Sequence, residues 1–141
     1  MKFSHIGICV SDLGRSIRFY CEGLGFELGA SHEIGDEFAA LMDFESVALR
    51  SQFIHRDGVS IELLGYDRPS VIGEPHRRPL NQVGLTHLNL RVEDVSDWAE
   101  RIVAFGGAVH SSTRTTFGTN LDFVYCTDPD GTRIELMRLP G

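Results

Sequence analysis

The chain carries an internal repeat, which limits its possible folds more than any other feature. Residues 4–28, SHIGICVSDLGRSIRFYCEGLGFEL, align with residues 86–110, THLNLRVEDVSDWAERIVAFGGAVH, so that His5 matches His87. DGVSIELL at 57–64 aligns with DGTRIELM at 130–137, with Glu62 opposite Glu135. Two long copies are too few for a solenoid. The repeat therefore predicts a single domain over 1–141 that is built from two similar modules.

Each module is predicted to contain a strand, a helix and then several strands. We place module 1 at about 1–65, a linker rich in proline, glycine and charge at about 66–84, and module 2 at about 85–141. In module 1 we expect Ser11 to cap a helix that ends at Gly25. The predicted helices span about 12–24 and 95–105, and the predicted strands lie near 3–10, 26–28, 39–44, 47–54, 60–64, 85–92, 109–113, 122–126 and 133–138.

Charge and composition exclude several classes of function. The 141 residues carry a net charge of −7, which disfavours binding to nucleic acid or to an anionic membrane. No apolar run is long enough to span a bilayer, and the N-terminus lacks the pattern of a signal peptide. The three cysteines form no CxxC pair, which is typical of reduced thiols. We therefore predict a cytoplasmic protein that binds neither nucleic acid nor membrane.

Four polar residues recur at equivalent strand positions in the two modules. Side chains alternate between the faces of a strand, so His5, Glu62, His87 and Glu135 fall on the face opposite the predicted helices. Buried carboxylates are costly unless they are paired or bound to metal, and imidazole with carboxylate suits a divalent first-row metal. The alternatives are ordinary solvated polar residues or a buried salt-bridged cluster.

The motifs HIGICVSDLGRSIRFYCEGLGFEL, IELL, THLNLRVEDV and DPDGTRIELM resemble the vicinal oxygen chelate superfamily, which includes glyoxalase I, methylmalonyl-CoA epimerase, extradiol dioxygenases and bleomycin-resistance proteins. The resemblance implies an α+β fold in which two βαβββ modules form a cupped open barrel around a metal site. It implies one divalent ion (Zn, Ni, Co, Mn or Fe) with His5, Glu62, His87 and Glu135 as ligands.

The resemblance also implies a reaction. Four ligands are similar to the glyoxalase I and epimerase pattern, which implies a metal-dependent lyase, isomerase or epimerase. Such an enzyme moves a proton next to a carbonyl through a metal-chelated enediolate, with Glu135 as the catalytic base and Glu62 as its counterpart. Two alternatives remain: an Fe(II)-dependent, ring-cleaving dioxygenase of the extradiol type, and a non-catalytic resistance protein that binds a drug or metabolite.

The expected partner is a small-molecule substrate with vicinal oxygens. Candidate substrate-binding residues on or near the predicted site face are Arg91, Asn89, Gln52, Arg133 and Phe123. Four histidines lack a repeat partner and are interpreted as surface or loop residues: His32, His55, His76 and His110. By resemblance we expect a homodimer, in which one chain or two chains complete the metal site.

Overall fold

The chain forms two four-stranded mixed sheets, in agreement with the α+β prediction. The computed structural model describes residues 1–74 and 76–140, and it divides into two compact units. Unit 1 spans Met1–Gly73 and unit 2 begins at Glu74, so the boundary falls inside the predicted linker. Pro75, within that linker, and Gly141, at the end of predicted module 2, lie outside the described residues.

Unit 1 contains the first sheet, in the order β1-β4-β3-β2 with β1 parallel to β4. A short α-helix continues into a π-helical segment, and two 3-10 turns separate the second and third strands. The elements are β1 (Ile6–Val10), α1 (Leu13–Ile17), the π-helical Arg18–Gly23, β2 (Glu27–Ile34), the 3-10 turns Asp36–Phe38 and Ala40–Met42, β3 (Ala48–Arg56) and β4 (Val59–Arg68).

Unit 2 repeats this topology with a longer α-helix. Its sheet has the order β5-β8-β7-β6, and β5 runs parallel to β8 just as β1 runs parallel to β4. The elements are β5 (Leu88–Arg91), α2 (Val95–Ala104), β6 (Ala108–Phe117), β7 (Leu121–Thr127) and β8 (Arg133–Arg138). The helix and the strands after it thus match the repeat found in the sequence.

Equivalent aspartates begin the two α-helices. The Asp94 carboxylate accepts the backbone N–H groups of Ser96 and Asp97 at the start of α2. Asp12 accepts the N–H of Arg15 at 2.8 Å, so the prediction that Ser11 is the N-cap is wrong. Asp12 has the extended backbone of a cap, whereas the Ser11 hydroxyl accepts a hydrogen bond from the Arg15 guanidinium.

The strand predicted over 39–44 is wrong, because this apolar run forms 3-10 turns. Ala39 and Met42 pack against Val47 and Leu49, so burial is achieved without an extended backbone. The Asp36 carboxylate accepts the N–H of Val47 at 2.8 Å and fixes the loop that returns to β3. An apolar run alone does not distinguish a short strand from a buried turn. Strand β4 extends to Arg68, inside the range predicted for the linker.

Each helix covers one face of its own sheet, and the apolar side chains between helix and sheet form the core. In unit 1 these residues include Ile8, Val10, Tyr20, Leu24, Ile61 and Leu63; in unit 2 they include Val95, Ile102, Val124, Cys126, Ile134 and Leu136. Burial raises the pKa of the Cys126 thiol to about 11. Within the described part of the chain, no helix has the length and apolar character needed to cross a membrane.

Candidate active site

Strand register places one histidine beside one glutamate in each unit. Glu62 lies opposite Gly7 on the parallel strand β1, and Glu135 lies opposite Asn89 on β5. His5 and His87 each precede that paired position by two residues, so each points to the same sheet face as the glutamate. The repeated sequence therefore produces two equivalent His–Glu pairs on the faces opposite the helices.

In unit 1 the pair is held by a hydroxyl and an aromatic ring. His5 Nε2 lies 3.1 Å from Glu62 Oε2, and the Ser51 hydroxyl donates to Glu62 Oε1 at 2.5 Å. His5 Nδ1 is 2.9 Å from the Ser4 hydroxyl, which leaves Nε2 directed at the carboxylate. The Phe53 ring packs edge-on against the His5 imidazole, with the ring centres 5.1 Å apart.

In unit 2 the pair has more polar surroundings. His87 Nε2 lies 3.4 Å from Glu135 Oε2, and the Asn89 amide donates to that same oxygen at 2.5 Å. His87 Nδ1 is 2.9 Å from the Thr86 hydroxyl. The Tyr125 hydroxyl also donates to the Glu135 carboxylate; burial and, after it, the charge of Glu135 raise the pKa of Tyr125.

The donor atoms of both pairs suit a divalent metal ion. Ligand bonds of about 2.1 Å at a right angle place two donor atoms about 3.0 Å apart, close to the 3.1 and 3.4 Å observed. The Glu62 and Glu135 side chains are only 19% and 20% exposed, so a positive charge beside them would be stabilising. Among the described residues of either unit, no third His, Cys, Asp or Glu joins the pair.

Arg133 is buried at the start of β8, two residues before Glu135. It is 7% exposed, its guanidinium lies 4.9 Å from the centre of the Tyr125 ring, and it donates to the Arg78 carbonyl. Burial, followed by the charge of Arg77, lowers the pKa of Arg133. This candidate substrate-binding residue therefore lies on the same face as the pair of unit 2.

His110 also belongs to this face, so its interpretation as a surface or loop residue is wrong. It lies on β6 directly opposite Tyr125, and its Nε2 atom is buried without a partner among residues 1–74 and 76–140. Burial, followed by the charges of Arg77 and Arg133, lowers the pKa of His110. The shift in β6–β7 register after His110 could not be inferred from a single strand pattern.

A cavity of about 280 Å³ lies beside Glu135, on the side away from Arg133. Three aromatic residues, two threonines, one valine and Glu135 contribute to its wall. Its lining residues are Thr113, Thr115, Phe117, Phe123, Val124, Tyr125 and Glu135. Phe123, a candidate substrate-binding residue, packs edge-on against Phe117 and contributes to the apolar part of this wall.

The other predicted residues differ in their surroundings. Gln52 is 5% exposed, and its amide donates to the carbonyls of Gly29, Ala30 and Phe53, so it supports the bulge of β2 and faces the core. The prediction that Gln52 binds substrate is therefore wrong, because its amide donors are used by backbone carbonyls on the core face. Arg91 is exposed and donates to the Pro140 carbonyl at 3.4 Å.

Sequence reasoning missed Ser51, the hydroxyl donor to Glu62. Ser51 lies two residues before Phe53 on β3, so strand alternation places both residues on one face. It also missed the link between Tyr125 and Glu135, which lie directly opposite each other on β7 and β8. Alternation along each strand indicates which face Ser51 and Tyr125 occupy. Only the pairing of the strands shows that they lie beside the two glutamates.

A sequence model of the Glyoxalase/Bleomycin resistance protein/Dioxygenase superfamily matches residues 2–136. A probable lactoylglutathione lyase from Vibrio parahaemolyticus is 28% identical, over 97% of this chain and 90% of its own length. A lactoylglutathione lyase from Arabidopsis thaliana is 29% identical over 97% of this chain, which spans only 44% of that protein.

Two solved structures share the fold. A glyoxalase family protein from Bacillus cereus superposes with a TM-score of 0.85 at 19% identity, covering 99% of this chain and 95% of that one. A fosfomycin resistance protein from Listeria monocytogenes, in complex with Mn(II) and sulfate, gives a TM-score of 0.62 at 20% identity and covers 99% and 93%.

Proposed function

The chain belongs to the Glyoxalase/Bleomycin resistance protein/Dioxygenase superfamily, and we propose that it is a metal-dependent lyase, isomerase or epimerase that moves a proton next to a substrate carbonyl. The observation that carries this proposal is the His–Glu pair, which occurs twice in the same register. The proposed substrate is a small molecule with vicinal oxygens.

The donor set indicates which residues would hold the ion. His5 and Glu62 supply one imidazole and one carboxylate, and His87 and Glu135 supply the same two groups. When bound, a divalent ion acts as a Lewis acid that polarises the substrate oxygens and makes the neighbouring C–H more acidic. The Ser4 and Thr86 hydroxyls fix the imidazole orientation through Nδ1, a role typical of groups that support metal ligands.

Glu135 is the proposed base. A positioned carboxylate can take a proton from the carbon beside the carbonyl and return it to the adjacent carbon. Asn89 and Tyr125 donate to this carboxylate and restrict its orientation, and the cavity along β6 and β7 provides space beside it. Glu62 is the proposed counterpart, and the Ser51 hydroxyl holds it in place.

Three similar proteins support the two parts of this proposal. The Vibrio relative is a probable lactoylglutathione lyase and the Arabidopsis relative is a lactoylglutathione lyase, which favours chemistry beside a carbonyl. The Listeria protein of the same fold was solved with Mn(II), which favours a divalent ion in this fold. S-lactoylglutathione is therefore the first compound to test as a substrate of this chain.

Metal content of the untagged protein, measured by elemental mass spectrometry after loading with Zn, Ni, Co, Mn or Fe(II), tests the proposal. We expect about one ion per chain, because two pairs supply four ligands. His5→Ala, Glu62→Gln, His87→Ala and Glu135→Gln should each weaken binding about tenfold or more. His76→Ala and Glu100→Gln are matched controls at exposed positions.

The outcomes separate the candidate functions. Absence of binding for every metal, or affinity that none of the four variants changes, would overturn the metal-dependent mechanism in favour of a binding protein. Iron that is retained equally well by Glu62→Gln would indicate an Fe(II) oxygenase with three protein ligands. A metal-loaded protein that incorporates no solvent deuterium into S-lactoylglutathione or a panel of 2-hydroxy and 2-oxo thioesters would contradict the proton-transfer step.

We also propose a homodimer, and a mixing experiment tests whether two copies share a metal site. A chain with His5→Ala and Glu62→Gln keeps only the pair of unit 2, and a chain with His87→Ala and Glu135→Gln keeps only that of unit 1. Metal binding that returns when the two chains are unfolded and refolded together would indicate sites completed by two copies. Failure to recover binding in a proven mixed dimer would contradict shared sites.

A further inference from the structure

Arg133 holds a positive charge that is buried without a carboxylate. Arg133 is 7% exposed, and within residues 1–74 and 76–140 no aspartate or glutamate forms an ion pair with it. Its guanidinium lies over the Tyr125 ring and donates to the Arg78 carbonyl. A buried charge is costly unless it is paired, and a ring face and one carbonyl compensate it only in part. This position is therefore suited to an anion.

Two more nitrogen-bearing side chains lie near this guanidinium. Burial lowers the pKa of both Arg133 and His110, and the charge of Arg77 is the second cause in each case. The buried Nε2 of His110 has no hydrogen-bond partner within the described residues. A buried polar atom of this kind requires a partner, since leaving it unpaired is costly.

Arg133 and its neighbours lie close to the His–Glu pair of unit 2. Arg133 and Glu135 are two residues apart on β8, so their side chains share a face and lie about 7 Å apart along the strand. Tyr125 links them, because its ring packs under the Arg133 guanidinium while its hydroxyl donates to Glu135. The cavity lined by Phe117 and Phe123 lies on the other side of Glu135.

We propose that Arg133, Arg77 and His110 form an oxyanion-binding subsite that holds a carboxylate or phosphoryl group of the substrate while its reacting carbon lies at Glu135. This inference rests on the proposed function, because it names the substrate class of that same site: a molecule with an oxyanion group whose remainder the cavity accommodates. A guanidinium offers parallel N–H donors that match both carboxylate and phosphoryl oxygens.

Anion titrations of the metal-free, full-length protein test this subsite without requiring turnover. Sodium acetate and sodium phosphate are added to ¹⁵N-labelled protein after EDTA treatment, and amide and arginine N–H shifts are followed by NMR. Ionic strength is held constant with sodium chloride, because charged surfaces respond to salt alone. The variants are Arg77→Gln, whose side chain is exposed, and Arg133→Gln. Arg101→Gln on α2 removes the same charge elsewhere in unit 2.

We expect saturable shifts near Arg133, with affinity reduced about tenfold in Arg77→Gln, lost in Arg133→Gln and unchanged in Arg101→Gln. Tighter binding of acetate would assign a carboxylate, and tighter binding of phosphate would assign a phosphoryl group. Shifts that match those from sodium chloride, or equal affinity in Arg77→Gln and wild type, would overturn the subsite. The Arg77 variant decides the question even if Arg133→Gln fails to fold.

Failure of this inference can be distinguished from failure of the proposed function. Metal binding by wild type without saturable anion binding would remove the subsite and leave the metal-dependent mechanism in place. Saturable anion binding by a protein that takes up no metal would overturn that mechanism and leave an anion-binding protein. Metal affinity of Arg77→Gln should equal that of wild type, since the contacts described for His87 and Glu135 do not include Arg77.

Discussion

Units 1 and 2 hold the same His–Glu pair on equivalent strands and surround it with different side chains. Gly7 lies opposite Glu62, whereas its equivalent, Asn89, lies opposite Glu135 and donates to it. On the neighbouring antiparallel strand, Phe53 in unit 1 corresponds to Tyr125 in unit 2, which adds a hydroxyl. The pair is therefore shared by both units, but the donors to its carboxylate are not.

The difference extends along the sheets. Ser51, which holds Glu62, corresponds to Phe123, which contributes to the cavity wall of unit 2. Ser60 corresponds to the buried Arg133. Backbone register alone is enough to bring the histidine and glutamate together, whereas the neighbouring side chains determine which hydrogen bonds the carboxylate accepts. In our proposal unit 2 orients the substrate and moves the proton, and unit 1 mainly supplies ligands.

The sharpest test of this comparison exchanges the two glutamates for glutamine one at a time. We expect Glu135→Gln to lower solvent-deuterium exchange into the substrate, per bound metal, about 10²- to 10⁴-fold, because the general base is lost. Glu62→Gln should weaken metal binding but keep a much larger share of the exchange rate per bound metal. NMR-detected exchange, normalised to metal content, provides the measurement. Equal losses in the two variants would show that the units are chemically equivalent.

A smaller effect is expected when the aromatic neighbours are exchanged. Tyr125→Phe gives unit 2 the ring of unit 1 and removes a hydrogen bond to a charged group, so the exchange rate should fall about tenfold. Phe53→Tyr is the reciprocal change and should leave the rate near that of wild type. Exchange rates are measured at saturating metal, and unfolding midpoints show whether each variant folds. A larger loss of rate in Phe53→Tyr than in Tyr125→Phe would contradict the proposed difference between the units.

The smallest expected effect concerns the helix caps. The N–H groups of Asp97 and Ser96 lower the pKa of Asp94 from its ordinary 3.8, so its ionised form stabilises the fold at neutral pH. Asparagine caps well but carries no charge; Asp94→Asn should therefore lower the urea midpoint at pH 7. The difference should shrink below pH 4, as acid protonates Asp94 in the wild type.

The matched variant for this prediction is Asp12→Asn in unit 1. Asp12 accepts one backbone N–H, whereas Asp94 accepts two, so its change in urea midpoint at pH 7 should be smaller. A difference for Asp94→Asn that persists unchanged at pH 3 would show that its stabilising effect does not depend on charge.

The repeat predicted the two-module fold and the four residues of the pairs because both depend on local features. Alternation along a strand assigns each side chain to a face, and the repeated His and Glu mark the same register twice. Prediction failed at 39–44, where the apolar residues pack as turns, since burial does not require an extended backbone. It also failed for the Ser11 cap, where two adjacent residues had equally suitable side chains.

The surroundings of the pairs were harder to predict because they depend on contacts between strands distant in sequence. His110 reaches the site face only through its pairing with Tyr125, and a register shift follows it on β6. Gln52 was assigned to the substrate, yet its amide is used by the carbonyls of the β2 bulge. No alternation pattern within a single strand indicates such a bulge.

The rate at which the buried Cys126 thiol in unit 2 is alkylated can report ligand binding without an added label. With its pKa raised to about 11, Cys126 is almost entirely protonated near neutral pH, and it is shielded from reagents while the unit is closed. Its alkylation therefore proceeds through opening of unit 2, and a ligand that binds the closed form slows labelling in proportion to its occupancy. Peptide mass spectrometry, which separates Cys126 from the more accessible Cys9 and Cys21, can thus screen compounds for binding before any substrate is known.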